Sequence, residues 1–140
     1  MRALEAESVS RADLAVLMYW EVASIRFASN LGTPPIAVDI TETPGREELV
    51  RAMTLGIYTV DPVTRRVNPT GAVTASGLTR IASRILAVRG ANCARGLNDP
   101  KAALAACSVA DPSVTLGDDQ ALVSGRTAAA VMQQVDRALK

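Results

Sequence analysis

Histidine is absent from this 140-residue chain. Without an imidazole, the chain lacks the commonest general base of enzymes and the commonest side-chain ligand of metal ions. No glycine-rich phosphate loop and no motif of an activated Ser or Cys nucleophile is present either. These absences predict a protein without catalytic activity, without a cofactor and without a metal centre.

Aromatic residues and excess charge are also scarce. Only four residues are aromatic although 49% are apolar, so the core of a single domain must consist mainly of Ala, Leu, Val and Ile. The net charge of +1 gives no sign of a nucleic-acid surface. No apolar run approaches the roughly 20 residues of a membrane span, and the first eight residues do not resemble a signal peptide. We therefore expect a cytosolic chain, or a mature or excised part of a longer secreted protein.

Cysteine occurs twice, at Cys93 and Cys107. The two thiols are either unrelated or joined in a disulfide that closes a short loop around Gly96 to Pro100. We favour the disulfide, which indicates an oxidising compartment and would contribute about 3 kcal/mol. Two thiolates without further Cys or His fall short of a four-ligand zinc site. Asp118–Asp119 is interpreted as part of a turn rather than a cation loop.

A repeat of fifty residues organises the chain. The segment from Asp61 to Leu86 aligns without a gap on the segment that begins at Asp111, and a partial copy begins at Val9. Each copy predicts a long helix that starts after a Ser or Thr cap, preceded by a valine that packs back on the first turns. The predicted long helices are 11–27, 74–88 and 125–139, with caps Ser10, Thr74 and Ser124.

Shorter helices and loops fill the rest of each unit. Thr43–Pro44 and Asp99–Pro100 each predict a short helix with Pro at its first position, and Gly56 predicts the end of the earlier one. Loops are predicted at 28–44, 61–72 and 111–122, with a short extended piece from Ile36 to Ile40 packed on the helices. The first of these loops is predicted because four of its residues disfavour both helix and strand: Asn30, Gly32, Pro34 and Pro35. The fold class is all-α, in one domain covering residues 1–140.

Four short motifs occur along the chain: the segment 9–13 (VSRAD), Val38-Asp39-Ile40, Leu55-Gly56-Ile57 and Val67-Asn68-Pro69. They resemble motifs of the S-layer homology domain. The last three correspond, in the order of that family, to the entry motif, the turn and the loop of one repeat, and the segment 9–13 resembles the opening of the second helix. The resemblance implies helical repeats around a pseudo-threefold three-helix core. The repeats would be a partial copy at 9–28 and further copies at 36–90 and 97–140.

The same resemblance implies a function. Domains of this family attach exported proteins to the bacterial cell envelope by binding peptidoglycan or a secondary cell-wall polysaccharide. The implied location is the cell surface, the periplasm or the extracellular space. No nucleic-acid partner and no membrane span are expected. The alternative is a structural module that binds other envelope proteins or itself, with contact surfaces at Ala102, Ala103, Ala106, Ala129 and Ala130.

Arg11 is the first candidate for ligand binding. Its guanidinium and the free N–H groups of a helix N-terminus suit an anionic sugar, although Arg11 solvated, or paired with Asp13 or Glu7, is the plainer interpretation. Ala75 and Gly125 stand at the corresponding positions of the other two copies, which leaves at most one groove of the family's kind. The other candidates are Asp13 from the same motif, Trp20 as a sugar-stacking ring, Asp39 as a groove acid, and Arg126, one residue out of register.

Overall fold

The computed structural model describes residues 2–29 and 31–140. Met1 and Asn30, the latter predicted to break helix, lie outside the described residues. The described chain is helical with no sheet, so the predicted all-α class is confirmed. Its α-helices are α1 (Arg2–Glu5), α2 (Arg11–Glu21), α3 (Ala23–Arg26), α4 (Arg46–Thr54), α5 (Ala75–Val88), α6 (Pro100–Ala106), α7 (Pro112–Leu116) and α8 (Gly125–Ala138); a 3-10 turn covers Asn92–Ala94.

The three predicted helix caps are confirmed. Ser10, Thr74 and Ser124 each accept a hydrogen bond from the backbone N–H three residues ahead, at the start of α2, α5 and α8. At the first of them Asp13 also accepts from the N–H of Ser10, at 3.0 Å, which completes a capping box. These residues satisfy donors that a helix start otherwise leaves without a partner.

The residues before the caps form a closed ring of backbone hydrogen bonds. The N–H of Val9 donates to the carbonyl oxygen of Val123 (2.8 Å), that of Val73 to Val9 (3.1 Å), and that of Val123 to Val73 (3.2 Å). All three valines are buried. The starts of α2, α5 and α8 therefore meet at one point inside the molecule, and α8 packs against both α2 and α5.

The core is made of small aliphatic side chains, as the composition predicts. α2 also packs against α4, and α5 packs against α6 and α7. Tyr58 is the one aromatic residue among the described buried side chains. The largest fully buried side chains are Leu14, Leu17, Met18, Ile25, Leu49, Leu78, Ile85, Leu86, Leu104 and Met132.

The first long helix is interrupted, whereas the sequence predicts it to run to Phe27. Val22 is extended (φ −110°, ψ 103°), so α2 ends at Glu21 and α3 adds one further turn. The cause is a tertiary contact: the N–H of Ala23 donates to the carboxylate of Asp136 on α8, at 3.0 Å. A partner distant in sequence thus caps the second segment.

The predicted start of the following short helix is wrong by two residues. Thr43 does not cap α4, because its hydroxyl donates to the carbonyl oxygen of Asp39. The cap position belongs to Gly45, which has a left-handed backbone (φ 78°). A Cβ at Gly45 would lie 2.7 Å from the side chain of Val16, so the close approach of α4 to α2 requires glycine there. The expected extended piece is only partly packed, since Ile40 is buried while Ile36 and Val38 are exposed.

The loop predicted at 111–122 contains α7. Asp111 caps this helix by accepting from the N–H of Ser113, and Gly117 ends it with a left-handed backbone. In the aligned earlier copy, the left-handed conformation comes two residues sooner, at Arg65 (φ 59°), and the chain turns back before a helix forms. The same Asp-Pro start therefore gives a helix in one copy and a turn in the other.

Cys93 and Cys107 form a disulfide, as the sequence favours. Their Cα atoms are 5.2 Å apart, within the usual range for such a bond. The bond links the 3-10 turn to the residue that ends α6, and α6 itself packs on α5. A disulfide of this kind fits a protein of an oxidising compartment.

α1 is absent from the sequence prediction and covers the start of α8. The N–H of Gly125 donates to the carbonyl oxygen of Ala6, just after α1, at 2.8 Å. A Cβ on Gly125 would lie 2.6 Å from the carbonyl oxygen of Leu4 and closer still to that of Ala3. Glycine at position 125 is therefore a packing requirement. None of the described helices is long and apolar enough to cross a membrane.

Candidate functional site: an arginine groove

A groove of about 230 Å³ lies between the start of α2, the turn after α4, and one face of α5. Its position follows from helical spacing, because Gly77, Ile81 and Arg84 recur along one face of α5. Opposite them, the chain after α4 turns at Gly56 and returns to the core through Ile57 and Tyr58, which are both buried. The groove is lined by Arg11, Ile57, Tyr58, Thr59, Gly77, Arg80, Ile81 and Arg84.

Arg11 is fixed in the groove by its own backbone and side chain. Its Nε donates to the carbonyl oxygen of Val67 at 3.0 Å, and its guanidinium carbon lies 4.3 Å from the centre of the Tyr58 ring. Among the described residues, neither Nη atom of Arg11 has a hydrogen-bond partner. The N–H donors of these two nitrogens are thus available to a ligand, and the side chain that carries them is already ordered.

Tyr58 holds the backbone of Arg11 as well as packing against its guanidinium. Its hydroxyl donates to the carbonyl oxygen of Arg11 at 2.8 Å. Burial raises the pKa of Tyr58 well above its ordinary value of 10.0, although the nearby charge of Arg11 acts to lower it. The phenol therefore stays neutral and keeps its proton for the bond to Arg11.

Arg84 on α5 is anchored in the same way as Arg11, through its Nε atom. Its Nε donates to the carbonyl oxygen of Gly56 at 2.6 Å, and no Nη bond is formed within the described chain. Arg80, one turn earlier on α5, contributes a third guanidinium with an exposed side chain. Three positive charges thus line one small groove.

Among the described residues, no carboxylate lies within 4.0 Å of these arginines. None of the eight lining residues is acidic. In the part of the chain that the structure describes, the ion pairs within 4.0 Å join Lys101 to Asp119 and Lys140 to Asp136. The groove arginines take part in neither pair, so the pairing of Arg11 with Asp13 or Glu7 is not observed there. An entering anion would meet three cations that repel one another while the groove is empty.

Backbone donors at the start of α2 do not contribute to the site, contrary to the sequence-based expectation. The N–H of Arg11 donates to the carbonyl oxygen of Gly71, and that of Ala12 to Pro69, both at 2.9 Å. The third N–H is taken by the Ser10 hydroxyl. Because the loop before α5 supplies these partners, recognition in the groove depends on side chains.

Asp13 and Asp39, predicted as ligand-binding residues, have structural contacts and do not line the groove. Asp13 completes the capping box of α2. Asp39 accepts hydrogen bonds from the N–H groups of Val67 (3.1 Å) and Asn68 (2.8 Å). Since Val67 in turn anchors Arg11, Asp39 acts as a positioning residue of the groove.

The other predicted residues lie elsewhere. Trp20 is nine residues beyond Arg11, about 13 Å further along α2 and on the opposite face. Arg126 is exposed on the first turn of α8 and does not line the groove. Ala75 and Gly125, at the positions that correspond to Arg11, are both buried. Packing explains the small residues at these two positions.

A scan against models of known protein families finds no match for this chain, and a search among curated proteins finds none either. The resemblance to S-layer homology domains therefore depends on the motifs and on their order. No group of three or more Cys, Asp or Glu side chains in the described chain is arranged to hold a metal ion.

Arg80, Arg84 and Tyr58 are groove residues that are not among the candidates drawn from the sequence. In the sequence, the two arginines could form a basic patch with Arg65 and Arg66, but such a cluster is usually a solvated face. Arg80 and Arg84 stand three and seven residues after Gly77, so all three lie on one face of α5. Because glycine has no side chain, it leaves room for a groove beside the two arginines. The sequence does not reveal that the turn after Gly56 lies opposite this stripe.

Replacing Asp39 with Asn is expected to lower the free energy of unfolding by about 1 kcal/mol near neutral pH, because two backbone donors lose a charged acceptor. Burial acts to raise the pKa of Asp39, but the hydrogen bonds from Val67 and Asn68 prevail and hold it below its ordinary value of 3.8. The carboxylate therefore stabilises the fold above the unfolded-state pKa, and this contribution is lost as pH falls through the folded-state pKa.

Thermal unfolding followed by circular dichroism, from about pH 5 to about pH 2, measures this effect. The difference in Tm between the two proteins should narrow as the solution becomes more acidic. Glu42→Gln, at an exposed position without a hydrogen bond in the described chain, is the control and should show no such difference. A Tm difference that stays constant with pH would contradict the assigned role of Asp39.

Proposed function

We propose that this chain is a non-catalytic module of the bacterial cell envelope that binds an anionic cell-wall polymer in the arginine groove. The observation that carries the proposal is the set of three guanidiniums around one groove without a carboxylate partner in the described chain. Two of them are anchored through Nε, which leaves the Nη donors for a ligand. Peptidoglycan and a secondary cell-wall polysaccharide are the candidate polymers.

Geometry and preorganisation support an acidic group as the ligand. Guanidinium donors match the planar fork of a carboxylate, and charge-assisted bonds of this type are stronger than neutral ones. Because Arg11 and Arg84 are already held by carbonyl oxygens, binding costs little side-chain entropy. A groove of about 230 Å³ is smaller than the usual pocket for a whole ligand, which suits one acidic unit of a longer chain.

Location and sequence add independent support. The disulfide fits an oxidising compartment such as the cell surface, the periplasm or the extracellular space. The ring of Val9, Val73 and Val123 agrees with the threefold arrangement that the S-layer homology resemblance implies. In that resemblance Arg11 is the residue that faces the polymer.

Arg11→Ala is expected to weaken retention on purified cell-wall sacculi by about tenfold or more, because a charged hydrogen-bonding partner is lost. The bound fraction is measured over a range of sacculus concentrations. Arg11→Lys keeps the positive charge but loses the planar set of guanidinium donors, so its retention should lie between that of the parent protein and that of Arg11→Ala. Arg137→Ala, which removes an exposed arginine of α8 outside the groove, is the matched control and should bind like the parent protein.

Sacculi from which the linked polysaccharide has been stripped identify which polymer is bound. Circular dichroism of each variant establishes that it is folded before retention is compared. Retention of the parent protein no higher than that of an unrelated protein would overturn the proposal. Equal retention of Arg11→Ala would overturn the assigned site.

A protein-binding module is the second candidate, and exposed apolar side chains favour it. Phe27 (74% exposed) and Ile36 (71%) lie in the segment between α3 and α4. The alanine surface expected from the sequence is only partly present, since Ala103 and Ala129 are buried. Light scattering after size exclusion tests this candidate: a strict monomer without a co-purifying partner would speak against it.

A further inference from the structure

A second concavity, of about 220 Å³, lies between the C-terminal half of α2 and the first turns of α4. It is separate from the arginine groove, because Trp20 and Arg11 project from opposite faces of α2. Its composition is also the reverse, with carboxylates and aromatic rings in place of clustered arginines. The lining residues are Tyr19, Trp20, Glu47, Glu48 and Arg51.

The indole of Trp20 is half exposed (50%), unusually open for the largest apolar side chain of the protein. The Tyr19 ring meets it edge to face with 5.0 Å between ring centres. The guanidinium of Arg26 donates to the backbone carbonyl oxygens of Tyr19 and Trp20, at the end of the helix that carries both rings. An accessible aromatic ring thus lines the concavity.

Within the described residues, the carboxylates of Glu47 and Glu48 have no hydrogen-bond or ion-pair partner. Arg51 stands four and three residues later on the same helix and is their natural ion-pair partner. Its Nη1 donates instead to the carbonyl oxygens of Ile25 (3.2 Å) and Ala28 (3.1 Å). Neither glutamate has a hydrogen bond or a cation within 4.0 Å in the described chain.

Arg51, which could neutralise the concavity, is instead hydrogen-bonded to backbone carbonyl oxygens. Arg51 lies 5.7 Å from the centre of the Tyr19 ring and ties α4 to the end of α3 through its two carbonyl contacts. Two negative charges against one positive charge leave the concavity with a net charge of about −1. The start of α4 also favours the ionised form of both carboxylates through the helix dipole.

We infer that this concavity binds a primary alkylammonium group, with the cation against the indole of Trp20 and its N–H donors on Glu47 and Glu48. An ammonium group carries three donors and no acceptor, which two unpaired carboxylates satisfy. Tryptophan is the strongest aromatic partner for a cation. A neutral ring would stack on the indole but would leave both negative charges uncompensated, and an anion would be repelled by them.

The inference stands apart from the proposed polymer binding, since it uses other residues and the opposite ligand charge. The amine of a lysine side chain and that of an amino sugar are two sources of the same chemistry. The protein has one tryptophan, so its indole N–H gives a single NMR cross-peak and its fluorescence reports on this concavity alone. The site is therefore measurable without a label.

Titration of the full chain with n-butylammonium chloride should shift the indole cross-peak saturably, with a Kd on the order of a few millimolar. Sodium chloride at equal ionic strength and n-butanol should not produce this shift. Glucosamine, which carries an ammonium group, should bind, whereas N-acetylglucosamine, which has the same ring without the charge, should not. Nα-acetyl-lysine amide, whose side-chain ammonium is free, represents the lysine source and should also produce the saturable shift.

Glu47→Gln with Glu48→Gln keeps the reporter and should weaken n-butylammonium binding about tenfold. Glu7→Gln with Glu42→Gln removes the same charge at exposed positions outside the concavity and should leave the Kd unchanged. An absent or non-saturable shift overturns the inference. So does equal binding of N-acetylglucosamine, or a Kd that the paired glutamine variant does not change.

Discussion

Replacing Cys93 and Cys107 with serine is expected to lower the free energy of unfolding by about 3 kcal/mol, which for a chain of this length is about 10 °C in Tm. The disulfide spans 14 positions of sequence and connects the 3-10 turn to the end of α6. α6 is short, and its packing partners are α5 and that same turn. Without the bond, the buried side chains of Ala103 and Leu104 still pack α6 on α5, but the loop between the 3-10 turn and the end of α6 is no longer closed, which raises the entropy of the unfolded chain.

Thermal and urea unfolding of the parent and double-serine proteins measure this loss. Reducing the parent protein should produce the same change in Tm, whereas the double-serine protein should not respond to the reductant. Amide hydrogen exchange should show faster exchange in α6 than in α2 or α8, because the loss is local before it is global. A change in unfolding free energy below about 1 kcal/mol would contradict the expected contribution.

Gly125→Ala is expected to destabilise the protein by about 2 kcal/mol, although alanine is the better helix former. The added Cβ would meet the carbonyl oxygens of Ala3 and Leu4, so α1 must shift away from the start of α8. Ala3 is buried, and Leu4 packs against the core, so a displaced α1 would expose both side chains. Urea unfolding measures the change in free energy.

Gly77→Ala is the matched control for this substitution. Gly77 also lies in the first turn of a long helix, but the nearest atom to an added Cβ is the cap hydroxyl of Thr74, at 3.2 Å. Asp13 and Thr127 occupy the same position in α2 and α8 with their caps intact. This variant should therefore gain about 0.5 kcal/mol or more. Equal effects of the two substitutions would contradict the contact between α1 and α8.

Local chemistry made several elements predictable. Ser10, Thr74 and Ser124 cap their helices because a side-chain oxygen close in sequence satisfies donors that every helix start leaves free. Asp99 followed by Pro100 starts α6 for the same reason. The disulfide was favoured by composition, since two cysteines without further Cys or His fall short of a zinc site, although two unrelated thiols remained the alternative.

Contacts distant in sequence account for part of the failed predictions. At the break after Glu21, the carboxylate of Asp136 on α8 accepts from the N–H of Ala23. The late start of α4 has a local reason, because the Thr43 hydroxyl donates to the carbonyl oxygen of Asp39. Among the site residues, Arg11 was predicted through a family resemblance. Its groove partners were not, because Arg80, Arg84 and Tyr58 come together only when the turn after Gly56 lies beside α5.

By itself the sequence determined the helical class, the caps of the three long helices and the presence of Arg11 at a helix start, and it favoured the disulfide. Each of these depends on residues within a few positions of one another or on composition. The tertiary structure alone decided that Arg11 keeps its Nη donors unpaired among the described residues while its backbone N–H is used elsewhere. It also decided that Arg51 leaves Glu47 and Glu48 without a partner, because the carbonyl oxygens that hold Arg51 become available only when α3 packs beside α4.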